Sequence, residues 1–224
     1  MIYRKFGKTD LTVSEIGFGA WGIGGPSMAG EIPIGWGKVD DGISVSALKK
    51  SFDRGINFYD TADFYCLGHS EELIGNVFGN RQDVIVASKV GHRINNDGTI
   101  RLDYSKNYIL EACEKSLKRL KRGSIDYYQL HSAKLDHLEN GECIEAMEKL
   151  KDEGKIRYWG LSLNTFNPFP EAEFLMKKKL CDGFQIVFNI INQNKPAGAN
   201  ACINLKFQFG RYPSCEYVTL SSGK

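Results

Sequence analysis

Four side chains able to move or hold protons follow one another along this sequence: Asp60, Tyr65, Lys89 and His131. Asp60, Lys89 and His131 each end an apolar run, and Tyr65 follows Asp60 by five residues. A carboxylate, a phenol, an ammonium and an imidazole together can donate, accept and stabilise protons. The pattern therefore predicts a proton-transfer site.

This set of groups suits protonation of a carbonyl oxygen while hydride reaches the carbonyl carbon. A phenol has a pKa of about 10, which is too high for efficient proton exchange near neutrality. A neighbouring ammonium favours the phenolate and lowers that pKa. Because lysine is rarely buried without a partner, we expect Lys89 to pair with Asp60 beside Tyr65. His131 would then hydrogen-bond the substrate oxygen and orient it.

Each of these residues also has a structural explanation. An aspartate after a strand often caps the next helix, and a loop tyrosine often only packs. Lys89 and Asp60 could form a structural ion pair, and His131 could be a core histidine. The occurrence of such residues at successive strand ends favours a shared functional site over separate structural roles.

The elements that must position these residues alternate between strand and helix six times. Most predicted strands are continuous apolar runs, as expected where helices cover a parallel sheet. We predict an α/β fold of the (β/α)8 TIM-barrel type, incomplete, with six βα units after an N-terminal hairpin. In such a barrel the carboxyl ends of all strands lie on one rim, which would bring the four residues together.

Helical periodicity and end signals place the helices. They are predicted from about Ser44 with Gly55 after the end, from Ser70 as the N-cap to Phe78, from Ser105 to Leu120, from Glu142 to Glu153, and from Asn167-Pro168 to Lys179. The stretches 24–41 and 95–98 are expected to be loops.

The segment Gly17–Gly22 matches G-x-G-x-x-G, but we reject it as a dinucleotide fingerprint. That fingerprint needs a helix that begins at the glycines. Here loop composition continues to about Gly42, so a barrel is favoured over an open doubly wound sheet. A glycine-lined strand end that a flat group can approach explains the segment better.

Composition limits the class of protein. The chain has 224 residues, 42% hydrophobic and 25% charged, which suits one large soluble domain or two small ones. The net charge of +2 gives no reason to expect nucleic acid, and no apolar run approaches a membrane span. With no signal-peptide core and six cysteines without CxxC spacing, we expect a reduced cytoplasmic protein with no disulfide framework and no metal site.

Five features in order resemble the aldo-keto reductase family: Asn57–Ala62, the spacing to Tyr65, Ser88–Gly91, Tyr128–His131 and Gly154–Ser162. The resemblance covers roughly Tyr3 to Gln193. It implies a TIM barrel and a metal-independent, NADPH-dependent reduction of small aldehydes and ketones. It also implies that Tyr65 is the general acid, that Asp60 and Lys89 tune it, and that His131 positions the carbonyl.

The resemblance further implies a set of cofactor-binding residues. These are Gly19, Ala20 and Trp21 beside the nicotinamide and substrate, Asp60, and Ser162, Asn164 and Gln185 around the nicotinamide carboxamide. Leu163 interrupts the family's usual Ser-Asn dipeptide, which makes the role of Asn164 less secure than that of Ser162. The 24–41 loop resembles a variable substrate loop, and a plain surface insertion explains it equally well.

The family pattern ends after Gln193. The expected seventh and eighth strands, which in the family grip the cofactor phosphates, are not recognisable in 194–224. We therefore predict an incomplete reductase-like barrel at 1–193 and an atypical tail at 194–224 that follows a truncated reductase. An incomplete barrel is expected to expose two sheet edges. Two functions remain open, a working carbonyl reductase and a non-catalytic remnant that acts as a binding or oligomer-associated protein.

Overall fold

A computed structural model of the chain describes residues 1–163 and 169–187, and the backbone of two short strands at 205–206 and 216–218. The strands are β1 (Tyr3–Lys5), β2 (Thr12–Ser14), β3 (Phe18–Gly19), β4 (Met28–Ala29), β5 (Ile32–Pro33), β6 (Phe58–Asp60), β7 (Ile85–Val90), β8 (His92–Ile94), β9 (Ile100–Leu102), β10 (Ile125–His131), β11 (Ile156–Ser162), β12 (Gly183–Ile186), β13 (Leu205–Lys206) and β14 (Glu216–Val218). The α-helices are α1 (Asp41–Asp53), α2 (His69–Phe78), α3 (Lys106–Leu120), α4 (Leu135–Asn140), α5 (Glu142–Asp152) and α6 (Phe169–Lys177).

The central sheet is built from six parallel strands in the order β3, β6, β7, β10, β11, β12. Helices connect successive strands from β3 onward, so each connection crosses back to start the next strand in the same direction. The parallel α/β prediction is confirmed. β1 and β2 pair antiparallel, as the predicted N-terminal hairpin requires.

Two apolar clusters cover the two faces of this sheet. On the helix side, Tyr59, Val86, Tyr128 and Trp159 are buried against the helices. On the other side, a smaller cluster forms around Phe6 from the hairpin, with Phe58 and Tyr127 among its members. The Phe6 ring centroid lies 5.8 Å from that of Phe58 and 5.0 Å from that of Tyr127. Because side chains alternate between faces along a strand, both clusters follow from the same strands.

The start of α2 differs from the prediction. Ser70 does not cap the helix, because α2 begins at His69 after the left-handed Gly68. The Ser70 hydroxyl is buried, donates to the carbonyl oxygen of Ala20 at 2.7 Å and accepts from the Thr61 hydroxyl at 2.9 Å. Ser70 thus links α2 to the residue after β3. Sequence rules for helix capping consider only neighbouring residues and cannot predict this tertiary contact.

Both predicted loops contain hairpins. β4 and β5 form one within residues 24–41, and β8 and β9 form another whose turn includes the polar stretch 95–98. α1 begins at Asp41, earlier than predicted, because Asp40 caps it by accepting from the Ile43 N–H at 2.9 Å. The ends of α3 and α5 agree with the predictions to within one residue, and α4 was not predicted.

On the C-terminal side the sheet continues past β12, because β14 pairs antiparallel with β12 and β13 pairs with β14. Over the described residues the sheet is not closed and ends at β13 and β3, which agrees with the two edges expected of an incomplete barrel. The predicted boundary between 193 and 194 lies outside the described residues, as do Asn167 and Pro168, and both predictions stay untested. Among the described residues, no helix is long and apolar enough to cross a membrane.

Candidate active site

Strand register brings the predicted catalytic residues to one rim. Asp60 ends β6, Lys89 lies near the end of β7, and His131 ends β10. Beyond β6 the backbone continues along β7, because the Thr61 N–H donates to Ala87 O at 2.8 Å and the Asp63 N–H donates to Lys89 O at 3.1 Å. These bonds lead the chain into a short 3-10 turn that begins at Tyr65. The predicted convergence is therefore what the structure shows.

The Lys89 ammonium is the centre of the cluster. Its Nζ donates to Asp60 Oδ1 at 2.7 Å and Oδ2 at 2.8 Å, to Thr61 O at 2.8 Å and to Tyr65 Oη at 3.0 Å. The lysine side chain is only 1% exposed. Burial disfavours the ammonium, but the Asp60 carboxylate and the Tyr65 oxygen outweigh it, so the pKa of Lys89 is raised. Lys89 is thus a fixed positive charge beside the phenol oxygen.

His131 faces Tyr65 as a neutral ring. The two ring centroids are 5.9 Å apart and the rings meet edge to face. Burial, helped by the charges of Lys89 and His92, holds the pKa of His131 well below its usual value. A neutral imidazole carries one N–H donor and one acceptor nitrogen. The Tyr104 hydroxyl fixes the strand end by donating to the backbone oxygen of His131 at 2.5 Å.

The end of β3 lies beside this cluster. Gly19 stands opposite Asp60 in the sheet, and the Ala20 N–H donates to Asp60 O at 2.8 Å. Trp21 follows, and its ring stacks on Tyr65 with a centroid separation of 6.1 Å. The Trp21 side chain is 42% exposed. We call Asp60, Tyr65, Lys89 and His131 the tetrad. The three residues that the family resemblance places beside the nicotinamide and substrate all lie close to it.

Ser162 and Gln185 occupy the other side of the rim. They stand opposite each other on β11 and β12, and Ser162 also stands opposite His131. Burial raises the pKa of the Asp60 carboxyl, and the charge and hydrogen bonds of Lys89, with a smaller contribution from the Gln185 amide, oppose that rise. Gln185 Oε1 is buried and accepts no hydrogen bond from any residue that the structure describes. Asn164 lies outside the described residues, so its predicted role stays a prediction.

Sequence reasoning missed three aromatic side chains at this site, His92, Phe64 and Trp36. The His92 ring lies 4.3 Å from that of His131, centroid to centroid, and Phe64 packs against it at 5.2 Å. Trp36 meets Trp21 edge to face at 5.2 Å. His92 follows Lys89 by three residues and could have been found by continuing the strand. No local pattern marks Trp36, because it lies in an irregular glycine-rich stretch.

Comparison with known proteins identifies the family to which the chain is similar. A family model described as "Aldo/keto reductase family" matches residues 15–203. An oxidoreductase of Bacillus subtilis, named YqkF and described as uncharacterized, is 39% identical over 181 residues, which are 79% of this chain and 53% of the relative. The chain thus spans about half the length of that relative.

Solved structures show the same fold. An aldo-keto reductase from Bacillus halodurans in its holo form matches with a TM-score of 0.71 and 35% identity, over 84% of this chain and 58% of that one. An aldo/keto reductase from Klebsiella pneumoniae, in complex with NADP and acetate, matches with a TM-score of 0.55 and 34% identity, over 73% and 50%. The six parallel strands are thus part of a (β/α)8 barrel, which confirms the predicted incomplete barrel. The chain belongs to the aldo/keto reductase family.

Proposed function

We propose that this chain is an NADPH-dependent oxidoreductase that reduces aldehyde and ketone carbonyls to alcohols, with Tyr65 as the general acid. One observation carries the proposal: a single buried ammonium, Lys89 Nζ, contacts both the Asp60 carboxylate and the Tyr65 hydroxyl oxygen. In that arrangement the ammonium can stabilise the phenolate that forms when Tyr65 gives up its proton.

Tyr65 would donate its proton to the substrate oxygen. As the proton leaves, negative charge develops on the phenol oxygen, which lies 3.0 Å from Lys89 Nζ. A hydrogen bond to a charged group is stronger than a neutral one, so Lys89 stabilises the phenolate more than the phenol. Asp60 keeps Lys89 protonated and fixes its position through two short contacts.

His131 would position the carbonyl. Its neutral ring lies edge to face with Tyr65, so an N–H on that ring can donate to the same substrate oxygen that Tyr65 protonates. A neutral imidazole does not compete with Tyr65 as an acid, and it leaves Lys89 as the principal positive charge near the oxygen. The two residues together define where the carbonyl lies.

The residues on the rim fit a nicotinamide. Gln185 Oε1, buried and without a donor among the described residues, is an acceptor for the N–H of a carboxamide. We propose that Ser162, Gln185 and Asn164 hold that carboxamide and that Gly19, Ala20 and Trp21 border the ring. Bound NADPH would supply the hydride. The NADP complex of the Klebsiella pneumoniae protein supports this choice of cofactor.

The test is NADPH oxidation with a reactive generic aldehyde, in the wild type and in Tyr65→Phe. We expect kcat to fall about 100-fold or more, since general acid catalysis contributes about 100- to 10,000-fold. Tyr158→Phe is the matched control, because its hydroxyl contacts Asp10 at 3.0 Å, away from the rim. The proposal is rejected if Tyr65→Phe retains full turnover or if both variants lose it equally.

The alternative function is that of a non-catalytic remnant that serves as a binding or oligomer-associated protein. A chain that unfolds cooperatively but does not oxidise NADPH with any reactive aldehyde would favour this alternative.

A further inference from the structure

An aromatic surface extends from the reacting phenol to the 24–37 loop. Tyr65 is stacked on Trp21 at 6.1 Å, and Trp21 meets Trp36 at 5.2 Å with an angle of 72° between the rings. We call these three residues the aromatic wall. Trp36 is half-buried and Trp21 is exposed, so part of the wall is accessible from solvent. A group attached to a carbonyl at Tyr65 would lie against it.

The loop is held against Trp21 by directional bonds. The Trp21 Nε1–H donates to the carbonyl oxygen of Ile34 at 2.9 Å. The backbone N–H of Trp36 donates to Gly25 O at 3.2 Å, which closes the base of the loop. Gly35 packs so tightly there that an added Cβ would lie 2.3 Å from Gly25 O. The position of Trp36 is therefore set by the fold of the loop.

The turn that carries Tyr65 is tied to the same loop. Cys66 Sγ, directly after Tyr65, donates to Gly25 O at 3.0 Å. Cys66 and Leu67 have φ angles of +51° and +56°, a region that non-glycine residues rarely adopt. Such a conformation persists only where surrounding contacts hold it. Gly25 O thus receives both the Cys66 thiol and the Trp36 N–H, and it joins the loop to the catalytic turn.

A second contact fixes the tip of the loop. Gly30, in the β4–β5 hairpin, abuts Gly98 in the β8–β9 hairpin so closely that a Cβ on Gly98 would lie 2.6 Å from Gly30 Cα. His92, which packs on His131, lies at the start of β8. The two hairpins therefore meet and frame the approach to the tetrad, with Trp36 on one side and His92 on the other.

We propose that Trp36 is a specificity-determining residue that favours carbonyl substrates bearing an aromatic group, and that Cys66 is a positioning residue that holds the Trp36 loop against the catalytic turn. The inference rests on the proposed function for its choice of substrates. A flat aromatic group gains both burial and ring contact at such a wall, whereas a small polar carbonyl gains neither. Pocket contacts of this size change selectivity by about 10- to 200-fold.

The experiment compares 4-nitrobenzaldehyde with methylglyoxal in the wild type, Trp36→Ala and Trp36→Phe. We expect Trp36→Ala to raise KM for 4-nitrobenzaldehyde about 10-fold and to change KM for methylglyoxal less than about 2-fold. Trp36→Phe should restore most of the preference. Equal effects on both aldehydes, or no effect on either, would overturn the role of Trp36.

Cys66 is tested by its replacement with serine and glycine. Cys66→Ser keeps a donor for Gly25 O and should retain the aromatic preference. Cys66→Gly relieves the unusual φ angle but removes the donor, so it should keep its melting temperature and lose part of the preference. If Cys66→Gly and the wild type discriminate equally, the positioning role is wrong.

A binding measurement separates this inference from the proposed function. Calorimetry with 4-nitrobenzyl alcohol, the product, does not depend on turnover. The aromatic wall is supported if Trp36→Ala binds the alcohol about 10-fold more weakly and Trp36→Phe binds it with wild-type affinity. This result would count even for a chain that does not oxidise NADPH. Absence of binding to the wild type, or equal binding to both variants, rejects the wall whatever the activity.

Discussion

Lys89 and Asp60 are a buried ion pair whose members depend on each other. Lys89 is 1% exposed and Asp60 8% exposed at the side chain, so neither charge can turn to water when its partner is removed. The sequence predicted the pairing because a lysine ended an apolar strand near a carboxylate. It did not predict that Thr61 O and Gln185 would join the same cluster, since those contacts depend on how neighbouring strands align.

Removal of one charge should therefore destabilise the protein more than removal of both. We expect Asp60→Ala to lower the free energy of unfolding by about 3 kcal/mol, because it leaves the Lys89 ammonium buried and unpaired with a carboxylate. Asp60→Ala combined with Lys89→Met should recover much of that loss and yet remain inactive. Urea unfolding of both variants checks this, and a double variant no more stable than Asp60→Ala would contradict it.

His131 should make stability depend on pH. Its folded pKa lies well below the usual value of about 6.5 while the unfolded chain keeps that value, so the unfolded state binds the extra proton below pH 6.5. The free energy of unfolding should then fall as pH falls below 6.5, by about 1.4 kcal/mol per pH unit for one such group.

His131→Gln provides the matched comparison for this effect. Between pH 6.5 and the folded pKa of His131, the free energy of unfolding of the variant should depend less steeply on pH than that of the wild type, by about 1.4 kcal/mol per pH unit. Groups far from position 131 contribute equally to both slopes. Urea unfolding from pH 5 to pH 8 measures both slopes. Identical slopes in wild type and variant would show that His131 titrates normally in the folded protein.

The sequence predicts the positions of most strands and helices of the central sheet. It does not predict the short hairpins or the features that depend on tertiary contacts. Apolar runs and helical periodicity located β6, β7, β10, β11 and the helices α3 and α5. The β4–β5 and β8–β9 hairpins were missed because their strands are only two or three residues long and largely exposed, which gives no alternation to read. Ser70 was misassigned because a buried partner, Ala20 O, replaced the local cap.

Gly160 on β11 lies so close to neighbouring atoms that a residue with a Cβ does not fit there. An added Cβ would lie 1.8 Å from Tyr127 Oη and 2.3 Å from Gly183 O. We expect Gly160→Ala to destabilise the protein by about 3 kcal/mol, since overpacking in a full core typically costs 1–3 kcal/mol and backbone contact adds to it.

Gly123→Ala is the control for that substitution, because nothing lies within 4 Å of a Cβ added there. It should change the free energy of unfolding by less than about 1 kcal/mol. Chemical unfolding of the two variants measures the contrast. If both variants are equally stable, the β11 backbone is not packed as tightly as the structure indicates.

At the scale of the whole molecule, six parallel strands carry a complete tetrad although the chain spans about half the length of its relative. The barrel class and the rim were predictable because short segments of the sequence show both the alternation of strands and helices and the polar residues at strand ends. The antiparallel pairing of β14 on β12 was not, since it joins segments about thirty residues apart without a periodic pattern. The proposed reductase activity rests on the rim of these six strands, where the tetrad lies.

The most direct test of that claim follows hydride itself. NADPH that carries two deuterium atoms at C4 of the nicotinamide is incubated with an aldehyde and the chain, so that either C4 hydride is labelled, and the alcohol is analysed by mass spectrometry. Our account predicts one deuterium per alcohol molecule with the wild type and a loss of about 100-fold or more in labelled product with Tyr65→Phe. Absence of labelled alcohol from a folded wild-type chain, or equal labelling by Tyr65→Phe, would contradict it.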